Sequence, residues 1–122
     1  MKKLIIEEGK ETPKIHMDGD NGHFSISGKS YPENVYDFYE PVFEYIEQYQ
    51  QNSSPKTTLE FNWLYYNTAT SKVIMKIIMR LKEISPDFQI NWYYKKDFDL
   101  IMEKGEEIKD ILDVKMIIAE ES

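Results

Sequence analysis

Cysteine is absent from this chain, which excludes a disulfide framework and thiol chemistry and fits a reducing, cytoplasmic setting. Glycine occurs only five times. That leaves little for a backbone phosphate cradle, and neither GxGxxG, a Gly-rich phosphate loop nor GxSxG is present. The only two histidines, His16 and His23, lack the spacing of a helical metal pair and have no HExxH around them. Both read as ordinary strand residues, so no metal and no cofactor is expected. No long uncharged run exists to span a membrane. The start, Met1-Lys-Lys-Leu-Ile-Ile-Glu-Glu8, begins like a signal peptide, but its apolar run ends at Glu7, too early for an h-region. Cations are scarce relative to carboxylates, 15 against 22, for a net charge of −7. That balance opposes nucleic-acid binding, which depends on Lys and Arg contacts to phosphate, and it disfavours anionic membrane surfaces. Solubility is the plainest use of the acidity.

What remains is 122 residues of one-domain size, without repeats, low-complexity tracts or linkers. One unit over 1–122 is expected. Leu4 to Glu8 reads as a strand. Lys14 to Asp18 and His23 to Ser27 alternate around Asp18-Gly-Asp-Asn-Gly22, as a hairpin would. That loop superficially suggests calcium. Counted from Asp18 as an EF-hand, however, positions five, six and twelve are Gly22, His23 and Lys29, so the pattern fails. Pro32 to Tyr49 reads as helix, Thr57 to Tyr66 as strand, Ser71 to Ile84 as helix and Phe88 to Tyr94 as strand. Asp97 to Ile111 reads as helix and Val114 to Ala119 as a last strand. Alternating helix and strand predicts right-handed crossovers and a largely parallel sheet, which the antiparallel hairpin makes mixed.

The first helix carries Glu33, Asp37, Glu40, Glu44 and Glu47 on one face, opposite Val35, Phe38, Tyr39, Val42, Ile46 and Tyr49. The carboxylates read as a solvated face, or else as a surface for a basic partner, not as an acid/base pair. Ser30 with Glu33 fits a capping box, with Pro32 in the first turn. Pro41 predicts a kink near Tyr39 or two shorter helices.

The most informative stretch is Thr58-Leu-Glu-Phe-Asn-Trp-Leu-Tyr-Tyr-Asn-Thr-Ala-Thr-Ser-Lys72. A β-prone aromatic run gives way to a hydroxyl cluster of Thr68, Thr70 and Ser71. A helix follows, with an apolar stripe of Val73, Ile74, Ile77, Ile78, Leu81 and Ile84. Free backbone N–H groups and the positive dipole end meet at its start, which favours an anion. The plainer reading is that Asn67 or Thr68 caps the helix. Strict alternation puts Leu59, Phe61, Trp63 and Tyr65 on one face. Tyr66 then falls on the other, as an exposed aromatic beside the hydroxyls and a candidate binding anchor.

Two motifs together carry a family resemblance. Phe24-Ser-Ile-Ser-Gly-Lys-Ser-Tyr-Pro-Glu-Asn34, followed by Asp37-Phe-Tyr-x-Pro41, resembles the N-terminal signature of the SiaC family of bacterial regulatory phosphoproteins. Leu59 to Lys72 resembles its aromatic-Asn-Thr-Ser-Ser-Ser-Lys run, with Ala69 in place of one Ser and Thr70 in place of another. The resemblance covers nearly the whole chain. It implies a STAS-like α/β fold, a mixed sheet with an N-terminal hairpin and about three principal helices, similar to anti-sigma-factor antagonists. It implies a non-enzymatic switch whose acceptor is Thr68, with Thr70 and Ser71 as alternatives. A dedicated protein kinase would modify Thr68 and a PP2C-type phosphatase would reset it. The unmodified form would bind a diguanylate cyclase in c-di-GMP and biofilm signalling, or another signalling target. The partner would dock over Tyr66, Asn67, Thr68, Ala69, Thr70, Ser71 and Lys72. The alternative is a constitutive STAS-like interaction module or anti-sigma-factor antagonist in which Thr68 merely caps the helix.

Overall fold

The computed structural model describes residues 1–121. Six strands form one sheet in sequence order: β1 (Leu4–Ile6), β2 (Lys14–Asp18), β3 (His23–Ser30), β4 (Lys56–Tyr66), β5 (Asp87–Lys95) and β6 (Met116–Glu121). The pairs β1–β2 and β2–β3 are antiparallel; β3–β4, β4–β5 and β5–β6 are parallel. The three parallel connections are α1 (Val35–Tyr49), α2 (Thr68–Ile84) and α3 (Asp99–Leu112). All three crossovers advance in the same direction along the sheet. With right-handed connections, that places every helix on one face.

Burial follows from this layering. Phe24 and Ile26 on β3, Leu59, Phe61 and Trp63 on β4, and Ile90 and Trp92 on β5 are fully buried under the helices. Their alternating neighbours Ser25, Ser27, Thr58, Glu60, Asn62, Gln89, Asn91 and Tyr93 are half-buried on the uncovered face. A sheet with one wet face reads apolar-in, polar-out, which is why these strands were legible. From α1, Tyr39, Val42, Ile46 and Tyr49 enter the core. From α2, Val73, Ile74, Ile77, Ile78 and Leu81 do so, each fully buried. The four carboxylates of α1, Asp37, Glu40, Glu44 and Glu47, face solvent, as does Glu33 just before its cap, and Glu47 holds Arg80 of α2 at 2.7 and 2.8 Å.

The structure alters two local expectations, both at the first helix. The cap of α1 is Asn34, whose side chain accepts from the Asp37 N–H at 3.2 Å, not the Ser30–Glu33 box. Ser30 cannot leave the sheet because β3 keeps pairing with β4 as far as Ser30 opposite Tyr66. The helix also runs unbroken through Pro41. The missing N–H removes one hydrogen bond, while buried Tyr39, Val42, Tyr45 and Ile46 flank it and hold the segment against the sheet. In the hairpin, Asn21 donates from its side-chain nitrogen to Asp18 at 2.8 Å, and Gly22 takes φ +61°, as a turn position with a left-handed backbone requires.

Candidate functional site

The strand β4 ends on a bulge. Gly28 pairs with Trp63, but Lys29 pairs with Tyr65, so Leu64 is an extra residue. The insertion reverses the alternation after it. Tyr65 turns outward, 48% exposed, and Tyr66 turns inward, 2% exposed. The expectation of Tyr66 as an exposed anchor is therefore wrong, because strict alternation cannot foresee a bulge. Tyr66 instead completes an aromatic cluster, with ring centroids 5.2 Å from Trp63 and 6.2 Å from Trp92. Burial pushes its phenol well above the usual tyrosine range, with the Glu107 carboxylate adding to the effect.

After Tyr66 the chain enters α2 three residues earlier than the periodicity predicts, at Thr68. Asn67 is the cap: its side-chain oxygen accepts from the Thr70 N–H at 2.9 Å. Thr68 is thus the first helical residue and does not cap the helix. It is exposed, as are Ala69 and Lys72, while Ser71 is half-buried.

Thr70 behaves differently. It is fully buried, and its Oγ1 donates to the Ser30 carbonyl at 3.0 Å and lies 3.0 Å from Ser30 Oγ. Ser30 Oγ is in turn 2.8 Å from the Tyr39 hydroxyl. These three hydroxyls pin the first turn of α2 to the end of β3 and to α1. Thr70 is unavailable to an enzyme unless that turn opens. Of the three hydroxyls in the sequence cluster, one therefore faces water, one is half-covered and one is structural.

Thr68 and Ser71 line a groove of about 230 Å³ together with Tyr66, Asn67 and Met75, and with Lys104, Glu107, Ile108 and Ile111 of α3. Lys104 Nζ lies 4.4 Å from the centre of the Tyr66 ring and 3.5 Å from the Tyr66 carbonyl oxygen, to which it donates. Nothing in the sequence tied Lys104 to Thr68, since the residues are 36 positions apart and only the crossover of α3 over β5 brings them together. The position of α3 depends on Gly105. A Cβ there would lie 2.6 Å from the Trp92 ring nitrogen, which donates to the Ile101 carbonyl at 2.9 Å. His16 and His23 sit apart on β2 and β3, and no metal-holding cluster exists among the described residues. Among those residues no helix is long and apolar enough to cross a membrane.

A family model described as SiaC family regulatory phosphoprotein matches residues 6–121. An uncharacterized protein of Pseudomonas aeruginosa (strain UCBPP-PA14) is 29% identical over 113 residues, covering 90% of each chain. Among solved structures, the diguanylate cyclase SiaD in complex with its activator SiaC, from Pseudomonas aeruginosa, includes a chain similar to this one. The TM-score is 0.88 at 27% identity, over 97% of this chain and 99% of that chain. The structure of SiaC of Pseudomonas aeruginosa is also similar, with a TM-score of 0.87 at 27% identity, over 99% of this chain and 100% of that one.

Proposed function

Since the chain belongs to the SiaC family of regulatory phosphoproteins, we propose that it is a non-catalytic switch. A dedicated protein kinase phosphorylates Thr68 and a PP2C-type phosphatase resets it. The unphosphorylated form binds and regulates a signalling target. The target class is a diguanylate cyclase, by likeness to the activator SiaC that was solved with SiaD. The observation that carries this reading is the position of Thr68: exposed, first in α2, beside the cap and open to the groove.

Phosphate adds about −1.5 to −2 charges at neutral pH. At a helix start the dipole tolerates that charge, and no core contact of Thr68 is lost, so the fold survives modification. A partner seated over Asn67 to Lys72 would instead meet a hydrated dianion. Enclosing an unpaired charge in an interface costs several kcal/mol. Modification therefore abolishes docking without unfolding the domain. Incubation with ATP and a cognate kinase should add one phosphate by intact mass, mapped to Thr68 and absent from Thr68→Ala. A phosphate that persists on Thr68→Ala and maps to Ser71 would move the acceptor one turn along the groove. Failure to accept any phosphate would leave a constitutive interaction module.

A further inference from the structure

We infer that Lys104 is the internal counter-ion of the phosphate carried by Thr68, so that modification ties α3 to the first turn of α2. The inference rests on Thr68 being the acceptor. Its grounds are the groove and the state of Lys104 before modification. Among the described residues, Lys104 is the only cation lining the groove that Thr68 opens into. Among the described residues, no carboxylate lies within 4.0 Å of its Nζ, although Glu107 lines the same groove one turn further along. Its present partners are a long hydrogen bond to the Tyr66 carbonyl, at 3.5 Å, and the face of the Tyr66 ring, at 4.4 Å. Both are weak next to a phosphate, which forms charge-assisted bonds.

The Lys104 ammonium already sits over a buried ring at the groove, so less side-chain freedom is lost on pairing. Lys72 is the competing cation, one turn beyond Thr68 on α2. It is exposed and does not line the groove. Glu107 opposes the phosphate from the α3 side. Pairing would draw the ammonium off the Tyr66 carbonyl and fill the groove from both helices. The surface shown to a partner would then change in shape as well as in charge.

The test uses the full chain with phosphothreonine genetically encoded at position 68, so that it does not depend on any kinase. The second ionisation of the phosphate, ordinarily near pH ~6, is followed by ³¹P NMR, with the lysine side-chain nitrogens followed in parallel. Lys104→Met should raise that ionisation by roughly 0.5–1 unit, the low end for a partly solvated cation. Lys104→Arg should leave it in place, Glu107→Gln should lower it, and Lys72→Met should move it less than Lys104→Met does. In the parent phosphoprotein the Lys104 nitrogen signal should follow the phosphate titration, a readout that needs no variant to fold. A Lys104 signal indifferent to that titration, or a Lys104→Met shift no larger than that of Lys72→Met, overturns the inference. If the kinase leaves Thr68 unmodified while the encoded phosphate still senses Lys104, the acceptor assignment fails and the counter-ion geometry stands.

Discussion

Asn67 and Thr68 are neighbours with separable roles, one structural and one exposed. Asn67 satisfies a free N–H of the first turn, so Asn67→Ala should cost about 0.5–2 kcal/mol in denaturant unfolding, the usual loss for a cap. Thr68→Ala removes an exposed hydroxyl with no cap bond and should change stability by less than about 0.5 kcal/mol. It should also bind its target constitutively. Thr68→Glu places a single charge at the same spot and should weaken target binding, though less than phosphate does. A binding titration checks both variants; equal affinity for Thr68→Ala and Thr68→Glu would end the regulatory role of this residue. Thr70→Ala should be the costly change in this cluster, roughly 1–3 kcal/mol, because it strips a buried partner from Ser30.

At the scale of the element, α2 and α3 present two packing problems. Ile77 is fully buried on the stripe of α2. Ile77→Ala should therefore destabilise by about 2–5 kcal/mol, measured by chemical denaturation. Gly105 is the odd residue in α3, because glycine costs a helix interior about 1 kcal/mol relative to alanine. It is there because the rigid Trp92 indole occupies the space a Cβ would need. Gly105→Ala thus gains helix propensity and loses packing. Overpacking costs about 1–3 kcal/mol, so net destabilisation is expected, with α3 and Lys104 displaced from the Thr68 groove. A stabilised Gly105→Ala protein would show that α3 is free to shift.

The whole molecule has a pH window set by groups at its surface and in its core. A hydrogen bond from Arg80 holds the Glu47 carboxyl below its usual range, and one from Asn21 does the same for Asp18. Hydrogen bonds from Lys95 and Asn62 lower Glu121. For a lowered acid, the stabilisation is complete above the unfolded carboxylate range and is lost as pH falls through the folded values, hence below about pH 4. Burial raises Tyr39 and Tyr66. Their contribution is complete below the ordinary tyrosine value, about 10, and is lost as pH rises above it towards the folded values. Thermal unfolding followed from acid to alkali should therefore show a plateau with a fall at each end. Glu47→Gln should flatten the acid limb without moving the alkaline one.

Alternation of apolar and polar residues was enough to place the six strands and three α-helices to within about three residues at their ends, because a sheet covered on one face repeats every two residues and its helices repeat every 3.6. The sequence also contained Thr68 itself, since a hydroxyl cluster between strand and helix is a local pattern. Four features escaped it. The extra residue at Leu64 exchanged Tyr65 for Tyr66 in the core, and a bulge is recorded in pairing, not in periodicity. Thr70 became a buried strut because the end of β3 lies beside it. Pairing with β4 held Ser30 in the sheet and moved the cap of α1 to Asn34. Lys104 came to line the same groove as Thr68 only through the crossover of α3. The sequence by itself therefore determined the order of elements and the hydroxyl cluster at the strand-to-helix junction, both of which rest on patterns between near neighbours along the chain, while the choice of Thr68 within that cluster came from the family resemblance. The tertiary structure alone decided which hydroxyl is accessible and which cation shares its groove, because both depend on segments that meet only when the sheet is assembled.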